Sequence, residues 1–145
     1  MVVAVAVAVL TTACADAGTG RDASPAGRVA RYCETLRGFA ELDLLFDERP
    51  ERVRSDLGEL LALTKRAARL APREIRADAQ AAVAAQERFN ALYAANGWDP
   101  EATNRDREFI AHANDPELGA LYVRLQDYQT RVCGPDPRTT DPSLA

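Results

Sequence analysis

The stretch PERVRSDLGELLALTKRAARLAPREIRADAQAAVAAQERFNALYAANG, residues 50–97, reads as two amphipathic helices with a tight turn between them. Val53, Leu57, Leu60, Leu61, Thr64, Ala67 and Ala68 recur every three or four residues, with Leu70 near the end of the run, so they fall on one side of a helix. Pro50 suits the start of that helix, because proline has its φ already set and lacks an N–H that would go unbonded there. Pro72 opens the next helix on the same logic, with Ile75, Ala79, Val83, Phe89 and Tyr93 as its apolar stripe. Asn96-Gly97 ends it with a residue free to take the left-handed conformation.

Working outward, the same signals repeat on both sides. Upstream, Ser24 reads as an N-cap with Pro25 in the first helical position, and Val29, Tyr32, Cys33, Leu36, Phe39 and Ala40 give a first helix that ends before the acidic pair Asp47 and Glu48. Downstream, Asp99-Pro100 and Asp115-Pro116 each place a capping acid before a proline. They predict a short helix near 100–112 and a last helix from 116 that turns Leu118, Leu121, Tyr122, Leu125, Tyr128 and Val132 inward. Cys133 and Gly134 close it. No β-branched alternating run follows the first ten residues, and no internal repeat is present. Four amphipathic helices with short connections can bury their stripes only against one another. The expectation is therefore an all-α fold: an antiparallel up-and-down four-helix bundle over residues 25–134, with an extra short helix and a disordered tail over 135–145.

Composition sets the outer limits. A chain of 145 residues fits one domain, and 47% hydrophobic with 28% charged residues is globular rather than disordered composition. A net charge of -4 gives no overall attraction to a phosphate backbone, which argues against nucleic acid as a partner. Arginine supplies nearly all the positive charge, Lys65 being the only lysine.

The chain begins with an unbroken apolar run, Val2 to Leu10, then Thr11, Thr12, Ala13 and Cys14. An apolar segment meeting small residues is the pattern of an export signal, and it falls far short of the roughly 20 apolar residues that span a bilayer. The segment LTTAC resembles the lipobox of bacterial lipoproteins, with Thr11 where leucine is usual and no basic residue before the apolar run. That resemblance implies a signal peptide over 1–13 and a lipid on Cys14, which would hold the protein on the outer face of the cell membrane. Ordinary signal-peptidase cleavage after Ala15 or Ala17 is the competing reading and would give an extracellular protein. Residues 14–24, CADAGTGRDAS, read as a flexible tether able to reach about 30 Å when extended.

Losing Cys14 to lipid or to cleavage leaves Cys33 and Cys133 in an oxidising compartment, where they can pair. The alternative is two buried free thiols. An up-and-down bundle brings the start of its first helix beside the end of its fourth, which makes the bond reachable. Closing a loop of this size is worth roughly 4 to 5 kcal/mol on a chain-entropy account.

In that topology the turn between the second and third helices lies at the same end. It carries Lys65, Arg66, Arg69, Arg73 and Arg76 against only Glu74 and Asp78. Residues 21–34, 65–78 and 124–136 together hold ten basic and six acidic side chains, against eight and sixteen elsewhere, so the molecule is expected to be electrically polarised. A basic pole beside a lipidated residue would be drawn to anionic headgroups; the plainer account is a solvated helix face. The macrodipole disfavours Arg73 and Arg76 in the first turns of a helix.

No residue pattern points to catalysis. His112 is the only histidine, and with Glu108 one helical turn before it supplies too few ligands for a metal. Ser24, Ser55 and Ser143 have no nucleophile motif around them, and Asp43 with Asp47 reads as helix-end charge rather than an acid-base pair. No cofactor is expected. Trp98, in the loop after Asn96-Gly97, is the one candidate for contact with a protein partner, or else a cap on the core.

The lipobox-like start, the polar tether, Tyr32-Cys33 early in the first helix and Val132-Cys133-Gly134 at the end of the last resemble the small helical lipoproteins and secreted proteins of actinobacteria. The resemblance implies location and fold and brings no functional residues with it. Two functions fit. One is an envelope-anchored interaction or scaffold module without catalytic activity that meets another envelope protein. The other is a carrier of a small ligand between the helices. A carrier should contain a cavity of several hundred Å3 with convergent polar groups, a scaffold a filled core.

Overall fold

A computed structural model describes residues 24–42 and 49–134. Cys14, the signal segment, nearly all of the tether and the 135–145 tail lie outside the described residues. Among the described residues the chain is helical and contains no strand. Helix α1 spans Pro25–Glu41 and α2 spans Pro50–Leu70; after a 3-10 turn at Arg73–Ile75, α3 runs over Arg76–Ala95. Two short helices follow, α4 (Pro100–Arg105) and α5 (Arg107–Ala113), and then α6 (Pro116–Cys133). No helix in this set is long and apolar enough to cross a membrane.

The expected caps are in place. Ser24 Oγ accepts from the Gly27 N–H at 3.0 Å, Asp99 from the N–H groups of Glu101 and Ala102, and Asp115 from that of Glu117. Each satisfies backbone donors that the helix leaves unbonded.

Two boundaries differ from expectation. The third helix begins at Arg76, not at Pro72, because the corner buries both Ala71 (0% exposed) and Ile75 (7%), and the backbone reaches α-helical geometry only after both have turned inward. The single short helix expected near 100–112 is two, broken at Asp106. That residue has extended backbone, ends α4, and caps α5 by accepting from the N–H groups of Glu108 and Phe109.

Each of the four long helices touches two others: α1 packs on α2 and α6, and α3 packs on α2 and α6. Their shared core joins Tyr32 and Cys33 of α1, Ala67 of α2, Ala71 and Ile75 of the corner, Ala79 of α3 and Tyr128 of α6. These residues come from the start of α1, the end of α2, the start of α3 and the end of α6, so one cluster ties together four helix termini. Farther along α3, Phe89, Tyr93 and Phe109 form a triangle with ring centroids 5.1–5.5 Å apart, through which α5 packs on α3.

The predicted stripes of α2 and α3 are buried or half-buried throughout. The stripe of α6 needs correction. Leu121 and Tyr128 are buried, but Tyr122 is 45% exposed and Val132 40%. A helix advances about 100° per residue. The turn that points Leu121 inward therefore carries Tyr122 to the edge, and the turn that points Cys133 at α1 carries Val132 outward. Ala82, Gln86 and Leu92 of α3 are also buried, a wider face than the sequence stripe marked.

Candidate functional site

Between α1, α2, α3 and α6 lies a half-open cavity of about 580 Å3. Tyr32, Leu36 and Phe39 line it from α1, Leu60, Thr64, Ala67 and Ala68 from α2, Ala79, Ala82 and Gln86 from α3, and Tyr122, Leu125, Gln126, Gln129 and Thr130 from α6. Its origin is the small side chains. Alanine holds the facing positions of α2 and α3, where Leu or Ile would fill the space between four helices. At one side Tyr32 meets Tyr128 edge-on, ring centroids 6.2 Å apart, next to the disulfide.

None of the lining residues carries a formal charge. Gln86, 9% exposed, is the most buried polar side chain of the wall and is held by a relay: its Nε2 donates to Asn90 Oδ1 at 2.9 Å, and Asn90 Nδ2 donates to the Leu57 carbonyl at 3.0 Å. That bond uses one of the two Gln86 amide N–H groups and fixes the side chain in the wall. The Thr64 hydroxyl donates to the Leu60 carbonyl at 2.8 Å. Burial pushes the Tyr32 phenol up to about 12, with the neighbouring Tyr128 adding to the shift, and burial raises Tyr122 as well. Both therefore stay neutral at ordinary pH. A wall with hydrocarbon, amide and hydroxyl groups and no formal charge suits a neutral molecule.

No known protein family, curated protein or solved structure matches this chain. The site is accordingly read from its own chemistry.

The structure brings some of the sequence-chosen residues together and separates others. Cys33 and Cys133 form a disulfide across 100 residues, Cα to Cα 5.4 Å. Cys14 lies outside the described residues. Of the basic cluster, Lys65 leaves the group by pairing with Glu87 on α3 at 2.8 Å. Arg66, Arg69, Arg73 and Arg76 are exposed. Glu74 and Asp78, the acids nearest them in sequence, are engaged elsewhere: Asp78 holds Arg124 in a two-pronged pair at 2.8–3.3 Å, and Glu74 accepts from the Tyr128 hydroxyl.

Trp98 is half-buried, with the Arg54 guanidinium 6.0 Å from its ring centre, so α2 covers part of the ring. Glu108 and His112 each engage a partner on α3. Glu108 pairs with Arg88 at 2.6 Å, and His112 Nε2 donates to the Ala85 carbonyl at 3.1 Å, both fastening α5 to α3.

The cavity wall is what sequence reasoning missed. Gln126, Gln129 and Thr130 read as solvent-facing between the apolar positions of the last helix, and Gln86 sits between Val83 and Phe89 without a periodic signal of its own. The available hint was a glutamine one turn after Ala82 and two turns after Ala79 on the inward side of α3.

Proposed function

We propose that this protein is an exported, non-catalytic binding domain that carries a small, uncharged, largely apolar molecule between its helices. The cavity carries the proposal: about 580 Å3, within the roughly 300–1,000 Å3 common for small-molecule sites, with an apolar wall and a few neutral hydrogen-bonding groups. The guest would place its hydrocarbon against Leu36, Leu60 and Leu125 and a polar group toward Gln86. A charged guest would have to lose its hydration without an opposite charge in the wall, which is costly.

Export is supported by the Val2–Leu10 run, by the LTTAC segment with its lipid acceptor Cys14, and by a disulfide, which is compatible with an oxidising compartment. The ring of contacts α1–α2–α3–α6, together with the pairs Lys65–Glu87, Arg124–Asp78 and Cys33–Cys133, supports an antiparallel up-and-down four-helix bundle as the finer arrangement.

The test is titration of the full chain with the neutral apolar dye N-phenyl-1-naphthylamine, whose fluorescence rises on leaving water. Saturable binding by the native protein is expected, weakened tenfold or more by Ala82→Leu, which fills the cavity. Circular dichroism and melting of the variant separate filling from unfolding. Native mass spectrometry of the protein from producing cells should show a neutral mass increment that Ala82→Leu loses. No saturable dye binding and no increment in the native protein would overturn the reading and return the interaction module, with its exposed apolar residues Tyr122, Val123 and Val132, as the better account.

A further inference from the structure

Independently of what the cavity holds, we infer that the disulfide end of the molecule docks on an anionic lipid bilayer through Arg66, Arg69, Arg73 and Arg76. Arg66 and Arg69 lie in the last turns of α2, Arg73 in the 3-10 turn, and Arg76 at the start of α3, and all are exposed. The corner that bears them is rigid, because Ala71 and Ile75 are locked into the shared core. Local acids offset little of it: Asp78 is paired with Arg124, which leaves Glu74 alone against the four exposed arginines. Arg131 adds a further cation at this end, its guanidinium 5.7 Å from the Tyr128 ring centre. The macrodipole favours Arg69 at the end of α2 but opposes Arg73 and Arg76 before and at the start of α3, so helix stability does not account for the cluster.

Two further observations choose a bilayer over another acidic partner. The domain's own chain arrives at this end: Val29, Tyr32 and Cys33 of α1 pack with Ala71 and Ile75, so the residues that precede Ser24, among them the apolar run Val2–Leu10, join the fold on the side of the arginines. An apolar or lipidated leader and a basic pole on one side make the two signals that together give stable membrane attachment. Away from this end the described residues hold seven basic and eleven acidic side chains, which the same surface would repel, and this favours an upright domain.

The test is co-flotation of the full chain with vesicles of phosphatidylcholine alone and of phosphatidylcholine with phosphatidylglycerol. Partition should be stronger onto the anionic vesicles and should fall with added salt. Near such a surface, each arginine neutralised (Arg66→Gln, Arg69→Gln, Arg73→Gln, Arg76→Gln) should weaken partition about fivefold, whereas the quadruple change to lysine should keep most of it. Arg54→Gln, Arg88→Gln and Arg107→Gln, remote from this end, serve as controls and should leave the preference for anionic vesicles unchanged. Equal partition onto both vesicles, a quadruple glutamine variant that partitions like the native chain, or an equal loss in the controls would each overturn the inference; the first would leave an acidic protein as the partner of this face.

Discussion

At Gly97 and Trp98 the chain passes through two successive residues of positive φ, 66° and 63°. The Gly97 N–H donates to the Ala94 carbonyl at 3.1 Å and the Trp98 N–H to the Tyr93 carbonyl at 2.7 Å, the paired bonds by which a helix satisfies its last carbonyls before reversing. A Cβ at Gly97 would meet nothing within 4 Å. Gly97→Ala should therefore destabilise through backbone strain alone, by about 1 kcal/mol, read as a lower urea midpoint with an unchanged slope. This corner was legible in the sequence because glycine states its freedom locally. The left-handed Trp98 was not, since its conformation is imposed by the bond to Tyr93 and by the packing of Arg54 over the ring. Tyr32 supplies the second prediction at this scale. Its phenol titrates near 12 when folded and near 10 when unfolded, so the unfolded chain gives up its proton first as pH rises. The stability that Tyr32 contributes is complete below the lower value and is lost between the two. Denaturation at stepped alkaline pH should show that loss, and Tyr32→Phe should flatten part of it.

Among the elements, the break between α4 and α5 is the instructive one. Asp106 accepts from Glu108 and Phe109 N–H groups and, through its other oxygen, from Asn96 Nδ2 at 3.3 Å. The Phe109 N–H and then Asn96 hold its carboxyl below the usual aspartate range. The Arg124 guanidinium does the same for Asp78, joining α6 to α3. Both groups have folded values below their unfolded ones, so their contribution is present at neutral pH and disappears as pH falls through the depressed values. The melting temperature should accordingly drop below about pH 4, less so in Asp78→Asn. Asp106→Ala, which leaves the first N–H groups of α5 unbonded, should lower the melting temperature by about 5 °C at neutral pH, read by calorimetry. The caps at Ser24, Asp99 and Asp115 could be read from sequence because a proline follows each. Asp106 has no such neighbour, and an aspartate inside a helical pattern says nothing of a break that depends on Phe109 turning into Phe89 and Tyr93.

Among the described residues, the order of the long helices followed from their apolar spacing, and the Cys33–Cys133 bond from the two cysteines that remain once Cys14 is set aside. The cavity did not follow. The alanine-bearing faces of α2 and α3 are compatible with close approach or with a void, and only the actual spacing of α1, α2, α3 and α6 decides between them. The two features are coupled. Tyr32 and Tyr128 beside the disulfide fix α1 against α6 at one end, while Leu36, Phe39, Tyr122 and Gln126 bound the cavity farther along the same two helices. Cys33→Ala with Cys133→Ala should then have two separable effects. Chain entropy should return to the unfolded state, costing about 4 to 5 kcal/mol of a total near 5–15, with the urea slope raised as the unfolded chain expands. The packing of α1 on α6 would lose its covalent tie, and dye binding in the cavity should weaken even where the variant is fully folded, as circular dichroism can establish. A variant as stable as the native protein would show that the staple contributes nothing. A less stable variant that, while folded, binds dye with native affinity would show that the cavity is shaped by helix packing alone.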